Sequence, residues 1–377
     1  MAANPVFLLP LPSKTAGANM LPRRRVITPT YTTMSQFESQ PLIGLTLEGL
    51  RKVAAECGMP PFSAKQMAQW LYVKRITEID AMTDLSKRAR AKLAEHGFTV
   101  GRQQPLTAAE SSDGTVKYLF EGVGGRDIES VYIPDRDRAT LCVSSQAGCR
   151  MNCSFCMTGR QGFHGSLTAA GIMNQILSVP GSESLTNLVF MGMGEPLDNL
   201  PPVLEAIEII TSKWGMAWSP KRITVSTIGK LRELRTLLDT TKVHIAISIH
   251  SPYPTERLAL MPVEKAFPIK DVISLLRQYD FSHQRRLSFE YIMFKGLNDD
   301  RRHCLELAHM LKGLDCRVNL IRFHAIPDSD LAAPSTEVME RFRDTLNAQG
   351  ITATIRASRG EDIMAACGML AGKNRTI

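Results

Sequence analysis

The sequence predicts an α/β protein, a parallel sheet wound with helices, fronted by a small helical domain. Two observations carry this. From about residue 136 onward, strand-like runs alternate with helical stretches, and alternating βα units imply parallel strands joined by right-handed crossovers. Before that point, residues 45–96 show the 3.6-residue spacing of amphipathic helices. Six or seven units suit an open or partial (β/α) barrel, or a doubly wound sheet.

Composition narrows the class. The 377 residues are 44% hydrophobic, enough for a large core and a smaller accessory domain. Lys and Arg exceed Asp and Glu by 45 − 37 = 8, a surplus that favours a polyanionic partner. Aromatic residues make up only 6%, which excludes a base-stacking platform built from many rings. Nowhere do about 18 apolar residues run together, so no membrane partner is expected. Eight cysteines are too sparse for a secreted disulfide framework.

The elements follow in order. Residues 1–40 are expected to be a disordered or extra N-terminal tail: the first 37 lack acidic residues, carry Lys14, Arg23, Arg24 and Arg25, and include a candidate start at Met34. An acid-poor basic start also resembles a transit peptide. Residues 41–100 form the helical domain. One stripe holds Leu50, Val53 and Ala54, a second Met67, Trp70 and Leu71, and a third Leu85, Ala89 and Leu93, with helix-start signals at Ser63 and Asp84. The run Lys87, Arg88, Arg90, Lys92 reads as a solvated face or as a phosphate-contacting one. Residues 101–135 read as a β linker or extension, and 136–377 as the wound sheet. Its strand-like runs are 140–144, 187–191, 222–226, 243–249, 287–293, 317–323 and 352–356; helical stretches lie between them.

Three cysteines crowd together in Cys149-Arg-Met-Asn-Cys153-Ser-Phe-Cys156, directly after the first of these strands. Thiolates suit iron–sulfur clusters and zinc alike. Structural zinc sites want four ligands, usually in paired C-x₂-C arrangements. A local count of three leaves one iron of a four-iron cluster without a cysteine, open to a substrate. The rival reading is a zinc site completed by Cys142 or His164, in a non-catalytic RNA-binding module. Further polar motifs follow the predicted strands: Gly192-Met-Gly194-Glu195-Pro196, Ser226-Thr-Ile-Gly229 and Ser248-Ile-His250-Ser251, with Asn319 in the sixth. Parallel α/β folds build ligand sites at that carboxyl face. Together they suit one pocket, with glycines for backbone approach, Glu195 for a cation, and serines and Asn319 for hydroxyls and carboxylate.

C-x₃-C-x₂-C followed by G-x-G-E-P resembles the radical S-adenosylmethionine (SAM) superfamily. The match narrows at Glu129-Ser-Val-Tyr-Ile-Pro, at Ala139-Thr-Leu-Cys142-Val-Ser-Ser-Gln-Ala-Gly-Cys149, at Asp362-Ile-Met-Ala-Ala-Cys367-Gly, and at Pro61-Phe62 with Gln69-Trp70. Together these resemble the RlmN/Cfr family of RNA adenine methyltransferases, from about Leu45 to Gly372.

The resemblance implies a partial (β/α)6, TIM-like radical SAM barrel. It implies a [4Fe–4S] cluster on Cys149, Cys153 and Cys156, and SAM bound by Gly194, Glu195, Ser226, Ser248, Ile249, His250 and Asn319. Cys367 would be the methyl carrier, Cys142 its resolving thiol through a transient disulfide, and Glu129 the general base. The substrates implied are C2 of an adenosine in 23S rRNA and of the adenosine beside the tRNA anticodon, with C8 methylation as the in-family alternative. The helical domain would grip the RNA. A cytoplasmic monomer reduced by a donor such as flavodoxin or ferredoxin completes the expectation.

Overall fold

A computed structural model of the chain describes residues 39–283 and 285–372. The expectations about residues 1–38 lie outside that range. Strand pairing starts at Gln40, the last residue assigned to the tail: Gln40–Pro41 (β1) runs parallel to Phe98–Thr99 (β2). The helical layer lies between them. In α1 (Leu47–Glu56), Thr46 caps the first turn by accepting from the Gly49 amide at 3.3 Å, and Leu50, Val53 and Ala54 are buried. The second helix, α2 (Ser63–Ala68), continues as one wider turn over Gln69–Val73.

The third helix, α3 (Lys87–Glu95), departs from expectation at its start. Its cap is Ser86, whose Oγ accepts from the Ala89 amide at 3.1 Å. Asp84 instead accepts from the Trp70 indole at 2.5 Å, so a tertiary partner outcompetes the local cap. The basic run also divides. Arg90 turns inward and donates to the carbonyls of Met82 and Leu85 at 3.2 and 2.7 Å. Lys92 is half-buried, and only Lys87 and Arg88 stand in solvent.

The main sheet has ten strands. Thr107–Glu110 (β3), Val116–Phe120 (β4) and Ile128–Asp135 (β5) are antiparallel, and β5 pairs with Arg138–Cys142 (β6). The segment expected as a β linker therefore widens the barrel's own sheet. A short hairpin follows, Gln146–Gly148 (β7) with Phe163–Ser166 (β8). Then come Asn187–Phe190 (β9), Ile223–Thr227 (β10), His244–Ser248 (β11), Leu287–Met293 (β12), Arg317–Arg322 (β13) and Thr352–Ile355 (β14), each parallel to its neighbour, with β9 also parallel to β6. Helical crossovers separate successive parallel strands: Met157–Arg160 (α4) with Ala169–Ser178 (α5), Leu200–Thr211 (α6), Leu231–Thr240 (α7), Pro254–Leu260 (α8) with Ile269–Leu276 (α9), Arg301–Leu311 (α10) and Thr336–Ala348 (α11). This is the partial barrel.

Alternate residues of each strand meet different surroundings, as the two-residue period requires. Leu141, Leu188, Val225, Ile245, Ile247, Phe289, Val318 and Leu320 belong to the main apolar core, with the helices. The other face turns to the barrel interior and carries most of the strands' polar residues, among apolar ones such as Ile292 and Ile321. At its centre the Glu290 carboxylate accepts from Ser288 at 3.0 Å and from Asn319 at 2.8 Å, and Asn319 accepts from Thr354 at 3.0 Å.

The helical layer packs tightly on this frame. Gly44 has φ +85°, and a Cβ there would lie 2.2 Å from the Ala170 nitrogen at the start of α5. Arg75 reaches across to Ser182 at 3.1 Å.

Candidate active site

The cysteine motif occupies the loop between β7 and α4. Gly148 turns the chain with φ +74°, where a Cβ would strike the Gly162 carbonyl, and the Cys149 amide donates to that same carbonyl at 2.9 Å. Further along, the Ser154 amide donates to Leu260 at 3.0 Å, tying the loop to α8. The three thiols share one wall of a chamber of about 150 Å³ at the carboxyl end of the barrel. Gly194, Glu195, Ser226, Ser248 and His250 line the same space, and so does Cys367.

Glu195 is held from three sides. Its Oε1 accepts from the Thr227 hydroxyl at 2.5 Å and the Leu197 amide at 3.0 Å, and its Oε2 from the Ile228 amide at 3.1 Å. Burial pushes its carboxyl up to about 7, against those hydrogen bonds. The flanking glycines serve packing. A Cβ at Gly192 would meet Ser144 Oγ at 2.7 Å, and one at Gly194 would meet Gln146 at 2.5 Å. Both also line the chamber, where they were expected to let a ligand approach.

His250 adopts φ +57°, and its Nδ1 accepts from the Ile292 amide at 3.0 Å. Burial, helped by Arg257, holds its ring down to about 3. It is therefore a neutral ring whose proton sits on Nε2.

The other predicted residues lie outside that lining. Ile249 is fully buried, with its amide on the Glu290 carbonyl at 3.1 Å. Asn319 is tied to its register partner Glu290, to which its Nδ2 donates at 2.8 Å. Cys142 ends β6 as a buried thiol pushed up to about 12 by burial, with Cys367 and Arg356 as charged neighbours. Glu129 is further away in its contacts. Its Oε1 pairs with Lys117 at 3.1 Å, and its Oε2 accepts from the Ala371 and Gly372 amides at 2.9 and 3.3 Å. All eight cysteines are free thiols.

Two charged lining residues were missed. Glu290 is 3% exposed and faces the chamber, and Arg356 sits 3.4 Å from its Oε2. A carboxylate in the middle of the apolar run Leu287–Met293 was the signal available.

The donor set fits a multi-iron cluster better than a single ion. Among the described residues, no three His, Cys, Asp or Glu side chains converge on one ion position, whereas zinc needs its thiolates within about 2.3 Å of a single point. Three thiols lining one space suit a cluster in which each binds its own iron. Nor do the proposed completing ligands join them: His164 Nε2 is 3.0 Å from the Gln161 carbonyl, and Cys142 lies outside the chamber lining. Burial raises all three motif thiols, Cys149 to about 12, so metal loading must displace their protons.

Comparison with known proteins matches residues 143–308 to the radical SAM superfamily and residues 40–98 to the ribosomal RNA large subunit methyltransferase N-terminal domain. A probable dual-specificity RNA methyltransferase RlmN from Parabacteroides distasonis is 58% identical over 90% of this chain and 99% of its own length. The chain belongs to the RlmN family. A Bacteroides fragilis RlmN is 56% identical over 88% of this chain and 96% of that protein. The crystal structure of a radical SAM methyltransferase from Sphaerobacter thermophilus is 39% identical, covers 88% of this chain and 99% of that one, and superposes with a TM-score of 0.82. Membership of the RlmN family within the radical SAM superfamily implies a [4Fe–4S] cluster and SAM as cofactors.

Proposed function

We propose that this chain methylates C2 of an adenosine in 23S rRNA and of the adenosine beside the tRNA anticodon, with Cys367 as the methyl carrier. The observation that carries this is the position of Cys367, on the same chamber as the three motif thiols and next to the buried Cys142.

Ring C2 of adenine is no nucleophile, so direct polar transfer from SAM is closed. A cluster, which Cys149, Cys153 and Cys156 would hold, would supply with SAM the one-electron chemistry that opens the route. The chain's own residues do the rest. Glu195 and the Ser226 and Ser248 hydroxyls bind SAM, and neutral His250 shapes the wall. The Cys367 sulfur takes a methyl group and loses its proton, a step thiolates perform well. Glu129 removes the ring proton of the bound base, which requires the Ala371–Gly372 backbone to leave its Oε2. With the carrier's carbon joined to ring C2, Cys142 gives up its proton and attacks the Cys367 sulfur; a disulfide forms as the sulfur–carbon bond breaks with its electron pair on the carbon, which takes up a proton to become the methyl group.

Lys87 and Arg88, with the rest of the basic surplus, hold the RNA through phosphates, and the target base leaves its stack to reach the chamber. Among the described residues no helix is long and apolar enough to cross a membrane. The setting proposed is a cytoplasmic monomer reduced by a flavodoxin or ferredoxin.

The test uses anaerobically reconstituted protein with a 23S rRNA fragment and with tRNA. Digestion to nucleosides should yield 2-methyladenosine from both. A yield of 8-methyladenosine would overturn the ring position, and an unmodified tRNA the second substrate. Cys142→Ala should accumulate RNase-sensitive protein–RNA adduct on Cys367; its absence, with turnover unchanged, would remove Cys142 from the reaction.

A further inference from the structure

The same strands build a second chamber at their amino ends, away from the cysteine wall. Arg138, Asn187, Thr224, His244 and Arg317 bring it contributions from β6, β9, β10, β11 and β13. Lys221, Arg285 and Arg286 complete its cationic lining, around a volume of about 480 Å³. That size matches a small-molecule site.

Its electrostatics are one-sided. Arg138, Lys221, Arg285, Arg286 and Arg317 face it, against the single carboxylate of Asp315. None of those five cations pairs with a carboxylate of a described residue. Like charges gathered around one concave site repel one another until an anion enters.

Two further details point to a ligand. Arg285 is 5% exposed; its Nη2 donates to the carbonyls of Leu238 and Thr241, while its buried Nε has no hydrogen-bond partner. A buried donor left unmade is costly, and native structures rarely keep one without a reason. His244 Nδ1 accepts from the Arg286 amide at 2.8 Å, which leaves Nε2 as a donor. Burial, then the charges of Arg286, Lys221 and Arg285, keep that ring neutral, down to about 4.

We propose that this amino-end chamber binds a phosphate group, supplied by a free nucleotide or by the RNA backbone. Several guanidinium forks around one space match the tetrahedral oxygens of phosphate and its double charge. The inference is independent of the methyl transfer, because no residue proposed for that reaction lines this chamber.

The experiment compares wild type with Lys221→Glu/Arg317→Glu, two exposed positions whose change should leave circular dichroism and melting temperature alone. A matched control is Lys213→Glu/Lys270→Glu, both exposed elsewhere. Calorimetric titration of the full reconstituted chain with inorganic phosphate and with AMP should show one site per chain, weakened at least tenfold in the first variant and not in the control. In parallel, RNA affinity is measured against salt. Nucleotide binding lost in the variant, with an unchanged salt slope, assigns the site to a free nucleotide. A slope reduced by about 1–2, with no heat from phosphate or AMP, assigns it to the RNA backbone. No heat together with an unchanged slope overturns the proposal.

Discussion

The amide of Met157, one residue past Cys156, donates to the carbonyl of Gly368, one residue past Cys367, at 2.8 Å. Beside it the Thr158 hydroxyl donates to the Leu370 carbonyl at 2.6 Å. The loop that carries the three motif thiols and the segment that carries Cys367 are thus hydrogen-bonded together. Thr158→Val should leave the Leu370 carbonyl without its partner, at a local cost of about 1–3 kcal/mol. Iodoacetamide should then label Cys367 several-fold faster, with little change in melting temperature. An unchanged labelling rate would mean that the segment is anchored elsewhere.

Glu129 combines an ion pair with a backbone latch, and the two are separable. Glu129→Gln keeps an acceptor for Ala371 but removes the charge opposite Lys117, which is left with its hydrogen bond to the Met364 carbonyl at 3.2 Å; the expected loss of stability is about 2 kcal/mol. If Glu129 is the base, methylated nucleoside should fall about 100-fold or more. Lys117→Met leaves the carboxylate in place and should retain turnover within about tenfold. Equal losses in the two variants would reduce Glu129 to a latch.

Thiol reactivity should rank by burial. Cys142, Cys304 and Cys316 are each pushed up to about 12 by burial, while Cys367 is exposed. At pH 7.5, timed alkylation read by peptide mass spectrometry should modify Cys367 long before those three. Early modification of Cys142 would contradict its buried position.

Two histidines set an acid limit on stability. Burial leads in both, with nearby arginines adding to it, and His250 is held down to about 3 and His244 to about 4. The folded state therefore takes up these protons less readily than the unfolded chain, whose imidazoles titrate near 6.5. Stability from both is complete above pH 6.5 and falls as pH drops to about 4, with the His250 share falling further, to about 3. Discounted for partial exposure, His244 accounts for about 1–2 kcal/mol. Denaturant unfolding of His244→Asn between pH 7 and 4 should show a shallower decline than wild type; parallel curves would refute the assignment.

Much of the architecture was legible because each parallel strand pairs a strong two-residue period with a helix of clear 3.6-residue spacing. The run 287–293 matches β12 residue for residue. Expectation failed where a distant partner decided the outcome. Asp84 looks like a cap but is taken by Trp70, and Arg90 looks solvated but is taken by two carbonyls. The site showed the same division. Residues on contiguous motifs, such as Cys149–Cys156 and Gly194–Glu195, could be grouped from sequence. Glu290 and Arg356 meet only because β12, β13 and β14 lie side by side, and no local pattern announces that.

The alternation of polar and apolar faces along the barrel strands has a consequence for divergence. A substitution at Val225 or Ile247 removes contacts with the helices and should be purged as a folding defect. One at Thr224 or Ser226 alters a chamber wall and leaves the helix-facing core untouched. Selection for a new ligand can therefore act on every second residue while stability is guarded by those between. A library randomised at Thr224, Ser226 and Ser248 should return mostly folded members with altered ligand preferences. The same diversity at Ile223, Val225 and Ile247 should return mostly insoluble ones.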